Sequence, residues 1–171
     1  MRRGALLEAI VQSATVGLFQ AFGLAVAPAA SQRALGSRVA FSDPVAMSSF
    51  EGQCLNGSLV LSIPETAYAL IQGGASQTTN RRDLLRELEN QLAGRLKNRF
   101  GQFQAPVRCG PPVVLDEQAR RRRFDDCELL VFGFRTLRGE IHVGFDGTTD
   151  ESVLVYSGTG DIHREGDVLV F

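Results

Sequence analysis

Residues 83–100 hold the side chains with the clearest capacity for chemistry. On a helix of about 100° per residue, Leu84, Leu85, Leu88, Leu92 and Leu96 fall in one apolar stripe. Asp83, Glu87, Asn90, Gly94 and Lys97 gather on the opposite face. The leucines explain themselves as core. The other face is not a plain Glu–Lys ladder. It carries Asn90, a poor helix former, and a mid-helix glycine, which costs about 1 kcal/mol relative to alanine. Gly94 removes a side chain and lets another surface approach the backbone. Glu87 and Asn90, at i and i+3, project side by side. That pair suits a prong inserted into a partner's site more than a self-contained pocket. A carboxamide is too weak a base to take a proton, yet it donates and accepts hydrogen bonds at once. It can therefore orient a water molecule, a recognised contribution to phosphoryl-group hydrolysis. Each residue also has a plain structural reading: a solvated face for Glu87 and Asn90, helix capping for Asp83, close packing for Gly94. For Lys97, the chain's one lysine, it is a surface charge.

Competing chemistry is sparse. Cys54, Cys109 and Cys127 form no CxxC pair and are odd in number, so neither a disulfide framework nor a zinc knuckle is indicated. They read as buried or half-buried thiols of a cytoplasmic protein. His142 and His163 stand alone, outside any metal-ligand spacing. No metal site is expected. GxxxxGK[ST] and GxSxG are both missing.

Around the motif helix, the sequence predicts an α/β chain. A first helix spans residues 5–24, with Leu6, Leu7, Ile10, Ala14, Leu18 and Phe22 at helical spacing. Its start, Met1-Arg2-Arg3 before an apolar stretch, has the look of a signal peptide. Glu8, Gln12 and Gln20 interrupt the run, which favours an amphipathic helix packed on the domain and excludes a membrane span. Residues 28–36 read as a connector. Strands are expected over 38–42, 45–50 and 58–63, the last after an Asn56-Gly57 hairpin turn. Pro64 opens a short helix, and Gly73 to Ser76 is a loop. Asn80 caps the motif helix, with Asp83 completing a capping-box-like pair. Arg120 to Arg123 reads as a solvated loop, with a phosphate-binding patch as the sharper alternative. Residues 127–135 form a nearly continuous apolar strand, buried on both faces. Leu137-Arg138-Gly139 turns the chain into a return strand with Ile141, Val143 and Phe145 alternating inward. The apolar two-sidedness of 127–135 is read as a sheet continuing across a two-fold axis. Beyond 147, two apolar runs, 153–156 and 168–171, read as an added hairpin.

Composition sets the outer limits. The 171 residues carry 18 Lys+Arg against 19 Asp+Glu, and 44% are hydrophobic. This fits one ordinary domain over 1–171 that buries a core without staples. A net charge of −1 provides no cationic field for nucleic acid or acidic lipid. Nucleic-acid binding and membrane insertion are therefore not expected.

The motif Asp83-x3-Glu87-x2-Asn90, with Pro112 after 21 intervening residues, resembles that of the CheC/CheX class of chemotaxis phosphatases, [D/S]-x3-E-x2-N followed at a distance by a Pro. The surroundings are also similar: Asn90 through Gly94 to Asn98, Gly110-Pro111-Pro112-Val113-Val114, and the hairpin from Cys127 to Phe145 around Thr136 to Gly139. Resemblance covers most of 5–145. In the first helix Glu8 is followed at +3 by Val11, so one site is present, as in CheX, rather than two. The resemblance implies a mixed, largely antiparallel sheet with the motif helix across it, and a homodimer. It implies a phosphorylated CheY-type response regulator as partner, with Mg²⁺ beside the receiver's phospho-Asp and no cofactor on this chain. Asn90 would position the attacking water. Glu87 would pair with the receiver's active-site lysine, and Asp83, Gly94 and Lys97 would flank the contact. A non-catalytic dimerising adaptor of the same fold, in chemotaxis or flagellar-switch signalling, is the alternative. An unrelated enzyme with its own pocket is disfavoured by the shortage of His and Cys clusters.

Overall fold

The computed structural model describes residues 5–71 and 80–155. The first helix, α1 (Ala5–Ala21), buries Leu7, Ile10, Val11, Ala14, Leu18 and Phe19 along one face. It stops because Gly23 turns left-handed at φ 75°. Its N–H then reaches the Gln20 carbonyl and that of Leu24 the Phe19 carbonyl, a Schellman ending that satisfies two late carbonyls. The motif helix, α2 (Arg81–Gln102), starts at Asn80, whose side chain accepts from the Arg82 N–H at 3.0 Å. Asp83 does not close a reciprocal box. Its carboxylate lies 3.6 Å from Arg86 instead. Gln104 takes the left-handed role at the far end, at φ 55°, and Ala105 N–H closes on the Phe100 carbonyl.

Among the described residues, eight strands form one sheet: β1 (Ala27–Pro28), β2 (Gln32–Leu35), β3 (Val45–Gly52), β4 (Leu55–Ser62), β5 (Val107–Cys109), β6 (Val113–Leu115), β7 (Glu128–Thr136) and β8 (Gly139–Thr149). Their order is β1-β7-β8-β4-β3-β5, with β2 also on β7 and β6 also on β3. Every pairing is antiparallel. Strand alternation gives the sheet two apolar faces. Leu59, Leu61, Phe132, Phe134, Val143 and Phe145 pack beneath α1 and α2 in the main core. Val45, Val60, Leu129 and Val131 face the other way, into a smaller cluster closed by Phe124.

Several sequence expectations are corrected. The 28–36 connector contains β1 and β2, both docked on β7. Their side chains are mostly exposed, so pairing rather than apolar content makes them strands. Residues 39–44 carry no strand, and Gly36–Arg38 forms a 3₁₀ turn. Asn56-Gly57 lies inside β4. A Cβ on Gly57 would sit 2.0 Å from the Asp146 carbonyl, so that glycine serves the approach of β8, while the chain turns at Gln53-Cys54. The arginine run belongs to α3 (Glu117–Phe124), capped by Asp116 onto the Ala119 N–H. Arg120 is buried, bonded through Nε and Nη2 to the Asp43 carboxylate at 2.7 and 3.2 Å and lying 3.4 Å from Asp125. Arg123 reaches Asp146 at 2.5 Å and the Ser58 hydroxyl at 3.0 Å. These two arginines are internal braces. Finally, β7 lies between β8 and β1/β2, so it offers no free edge for continuing the sheet across a two-fold axis.

Two further elements stand as expected. Residues 65–70 form a 3₁₀ helix after Pro64, and the 127–145 hairpin stands as β7 and β8. The proposed terminal hairpin is corrected where it is described: 153–155 carry no strand, Glu151–Val153 being a 3₁₀ turn, and the Val155 N–H donates to the Phe103 carbonyl at 3.0 Å. Its remainder, and the 73–76 loop, lie outside the described residues.

Candidate functional site

Five residues line a shallow groove on the outer side of α2: Asp83, Arg86, Glu87, Asn90 and Pro112. The first four follow from helical spacing. Pro112 is brought in by β3, which pairs with both β5 and β6: Phe50 opposite Cys109, Met47 opposite Val113. The intervening Gly110-Pro111-Pro112 cannot continue a ladder, since proline has no N–H to give. The segment therefore bows out beside the helix. Two further contacts hold helix and edge together. Arg82 Nη2 donates to the Val114 carbonyl at 3.4 Å, and the Cys109 thiol to that of Ala93 at 3.8 Å.

Within this frame the leucine stripe is buried while Asp83, Glu87, Asn90 and Lys97 are exposed. Glu87 is steadied along the helix by Gln91, whose Nε2 donates to Oε1 at 2.7 Å. No described residue hydrogen-bonds the Asn90 carboxamide, so both its donor and its acceptor are available to something arriving from outside. A Cβ built on Gly94 meets no described residue within 4 Å, so close packing among the described residues is not the reason for that glycine. Lys97 shares the face but does not line the groove. It stands by Cys109, where its charge acts on the thiol.

Two residues beyond those singled out from sequence belong to the site. Arg86 lines the groove and meets Asp83; its place one turn beyond Asp83 was the available signal. Glu89 lies behind it, fully buried, with Oε1 accepting from the Ser48 hydroxyl of β3. Burial pushes its carboxyl up to about 7, although the Ser48 hydrogen bond acts the other way. Its signal was its wheel position, about 20° from Leu96 at 100° per residue.

Among the described residues, no group of three or more His, Cys, Asp or Glu is placed to hold a metal ion. Nor is any helix there long and apolar enough to cross a membrane. A small exposed face with one free amide, one steadied carboxylate and an Arg–Asp pair cannot enclose a substrate. It can complete a site that another molecule supplies.

No family model matches the sequence, and no curated protein sequence matches it. Solved structures do match the fold, and the fold is that of the CheX and CheC-like chemotaxis proteins. CheX from Desulfovibrio desulfuricans superposes with a TM-score of 0.66 at 14% identity, over 82% of this chain and 97% of that one. A chain of the CheX–CheY–BeF3–Mg²⁺ complex from Borrelia burgdorferi matches with a TM-score of 0.59 at 16% identity, over 81% and 95%. FliY from Thermotoga maritima matches at 0.53 and 15% identity, over 84% and 87%.

Proposed function

We propose that this protein hydrolyses the aspartyl phosphate of a phosphorylated CheY-type response regulator. The observation that carries the reading is the exposed Glu87–Asn90 pair beside Pro112, with the Asn90 amide unengaged among the described residues and the surface over Gly94 open. Asn90 accepts from and donates to a water held in line with the acyl phosphate. The water oxygen bonds to phosphorus, the bond from phosphorus to the aspartyl oxygen breaks, and inorganic phosphate and the free carboxylate leave. Glu87 supplies a fixed negative charge for a lysine of the receiver, which holds the prong in register. Asp83 and Lys97 flank the contact. Any Mg²⁺ belongs to the receiver, as does the phosphate. The likeness to a chain of a CheX–CheY complex supports this class of partner.

The test is release of phosphate from a panel of phosphorylated receiver domains, with and without the protein. Accelerated release from one of them, lost in Asn90→Ala, is expected. A second reading is a non-catalytic adaptor of the same fold using the same exposed face. Saturable binding without release would select it. We also propose that the protein works as a homodimer, expected as twice the chain mass in light scattering at micromolar concentration. A strict monomer would reject that.

A further inference from the structure

Glu89 lies between Glu87 and Asn90 in the chain but on the other side of the helix, and none of it reaches solvent. A carboxyl in that position requires a physical account, because burying one without full hydrogen bonding is costly. Oε1 accepts from Ser48. Oε2 has no hydrogen-bond partner. Ser48 is fixed in the interior of the sheet, opposite Leu59 of β4. The titratable group facing Glu89 from β5 is Cys109, whose thiol burial pushes up to about 11 and so keeps neutral. Lys97, further along α2, acts on that thiol and not on the carboxyl. Among the described residues, α1, β4 and β6 bring no charge to bear on it.

We propose that Glu89 is a positioning residue: its carboxyl seats the middle of α2 on β3 through Ser48, and loss of its proton moves the Glu87–Asn90 face relative to Pro112. A carboxylate with one oxygen unpartnered in apolar surroundings must gain water or leave. Of the two elements that meet there, β3 is hydrogen-bonded to β4 through Ser48 and to β5 and β6 on either side of it, whereas α2 lies on the sheet through side-chain contacts. Asn90 is the next residue on the same rigid turn, so a displacement of α2 at Glu89 reaches it undiminished. Burial already holds the carboxyl at about 7, where a small change of pH changes its charge. The consequence for activity rests on the reading of Glu87 and Asn90 as the partner-facing pair; the structural claim does not.

The experiment is a ¹⁵N amide titration of the full chain from about pH 5 to about pH 9, spanning the value near 7. The amides of Ser48, Glu87 and Asn90 are expected to shift together with one midpoint near 7. In Glu89→Gln they should stay at the wild-type low-pH positions throughout. Ser48→Ala removes the bond that favours the carboxylate, so it should move the midpoint upward. In parallel, dephosphorylation of a phosphorylated CheY-type receiver is measured as the ratio of wild type to Glu89→Gln, which cancels the partner's own titration. That ratio should fall about tenfold across the midpoint, the scale of a sub-ångström to ångström misplacement. Glu87 and Asn90 amides that do not titrate, or that titrate equally in Glu89→Gln, would overturn the proposal. If the amides behave as expected while no receiver is dephosphorylated by either protein, the positioning role stands and the phosphatase reading falls.

Discussion

At the scale of single residues, the site divides into groups that face outward and one that faces in. Asn90 is exposed and unengaged by any described residue, so Asn90→Ala should leave folding unchanged, checked by its thermal midpoint. It should reduce stimulated dephosphorylation by about 10²–10³, the cost of deleting one preorganised polar contact. Glu87→Ala should act mainly on affinity, because in the proposed complex its carboxylate meets the receiver's lysine and not the water. Glu89 makes a different prediction. Its carboxyl is raised from 4.5 to about 7 in the fold, so between those values the folded chain holds a proton that the unfolded chain has lost. Its contribution to stability is therefore full below pH 4.5 and is lost as pH rises through 7. The loss is about 3–4 kcal/mol, at about 1.4 kcal/mol per tenfold change in proton affinity. Urea midpoints across that range should fall in the wild type, and that component should be missing in Glu89→Gln. The sequence made Asp83, Glu87 and Asn90 legible because helical spacing alone unites them. It hid Glu89, because a glutamate beside a leucine stripe is taken as solvated until the strand behind it is known.

At the scale of elements, what could be read depended on whether the signal was local. Both main helices carry their own caps and stripes, and both stand within a few residues of the expected bounds. The β7–β8 hairpin likewise announces itself through alternation and a tight turn. β1 and β2 do not, since nothing in their mostly exposed side chains distinguishes them from loop until β7 lies alongside. Pro112 reaches the motif because β3 pairs with two separate short strands; its spacing from Asn90 marked it through the family resemblance and not through any helical or strand periodicity. Gly94 gives a test at this scale. Alanine there meets no neighbour among the described residues, so Gly94→Ala should stabilise α2 by about 1 kcal/mol or less, read as a higher melting temperature. If a partner's surface rests on that part of the helix, the same variant should bind the receiver more weakly. Stability and function would then move in opposite directions, which a glycine kept for internal packing could not produce.

At the scale of the whole molecule, the sheet separates the site from its counterweight. α2 and the main core lie on one face; α3, Phe124 and the smaller cluster lie on the other. The smaller side has few apolar residues and is tied by charge. Arg120 joins α3 to Asp43 and Asp125, its guanidinium also standing 5.5 Å over the Phe41 ring, and Arg123 joins α3 to Asp146 of β8 and Ser58 of β4. Arg120 is buried, so removing it leaves the Asp43 carboxylate without the cation that compensates it. Breaking a buried pair from one side costs about 3–5 kcal/mol, and some of that applies here because Asp43 is itself largely covered. Arg120→Ala should therefore lower the urea midpoint strongly, while Arg121→Ala, which breaks only an exposed contact with Glu117, should change it by less than about 1 kcal/mol. Well below its melting temperature, the Arg120 variant should still dephosphorylate the receiver at close to the wild-type rate, because α3 contributes no residue to the lining of the groove. A rate lost in proportion to the lost stability at that temperature would mean that the two faces of the sheet are coupled, and that the arginine run serves the site as well as the scaffold.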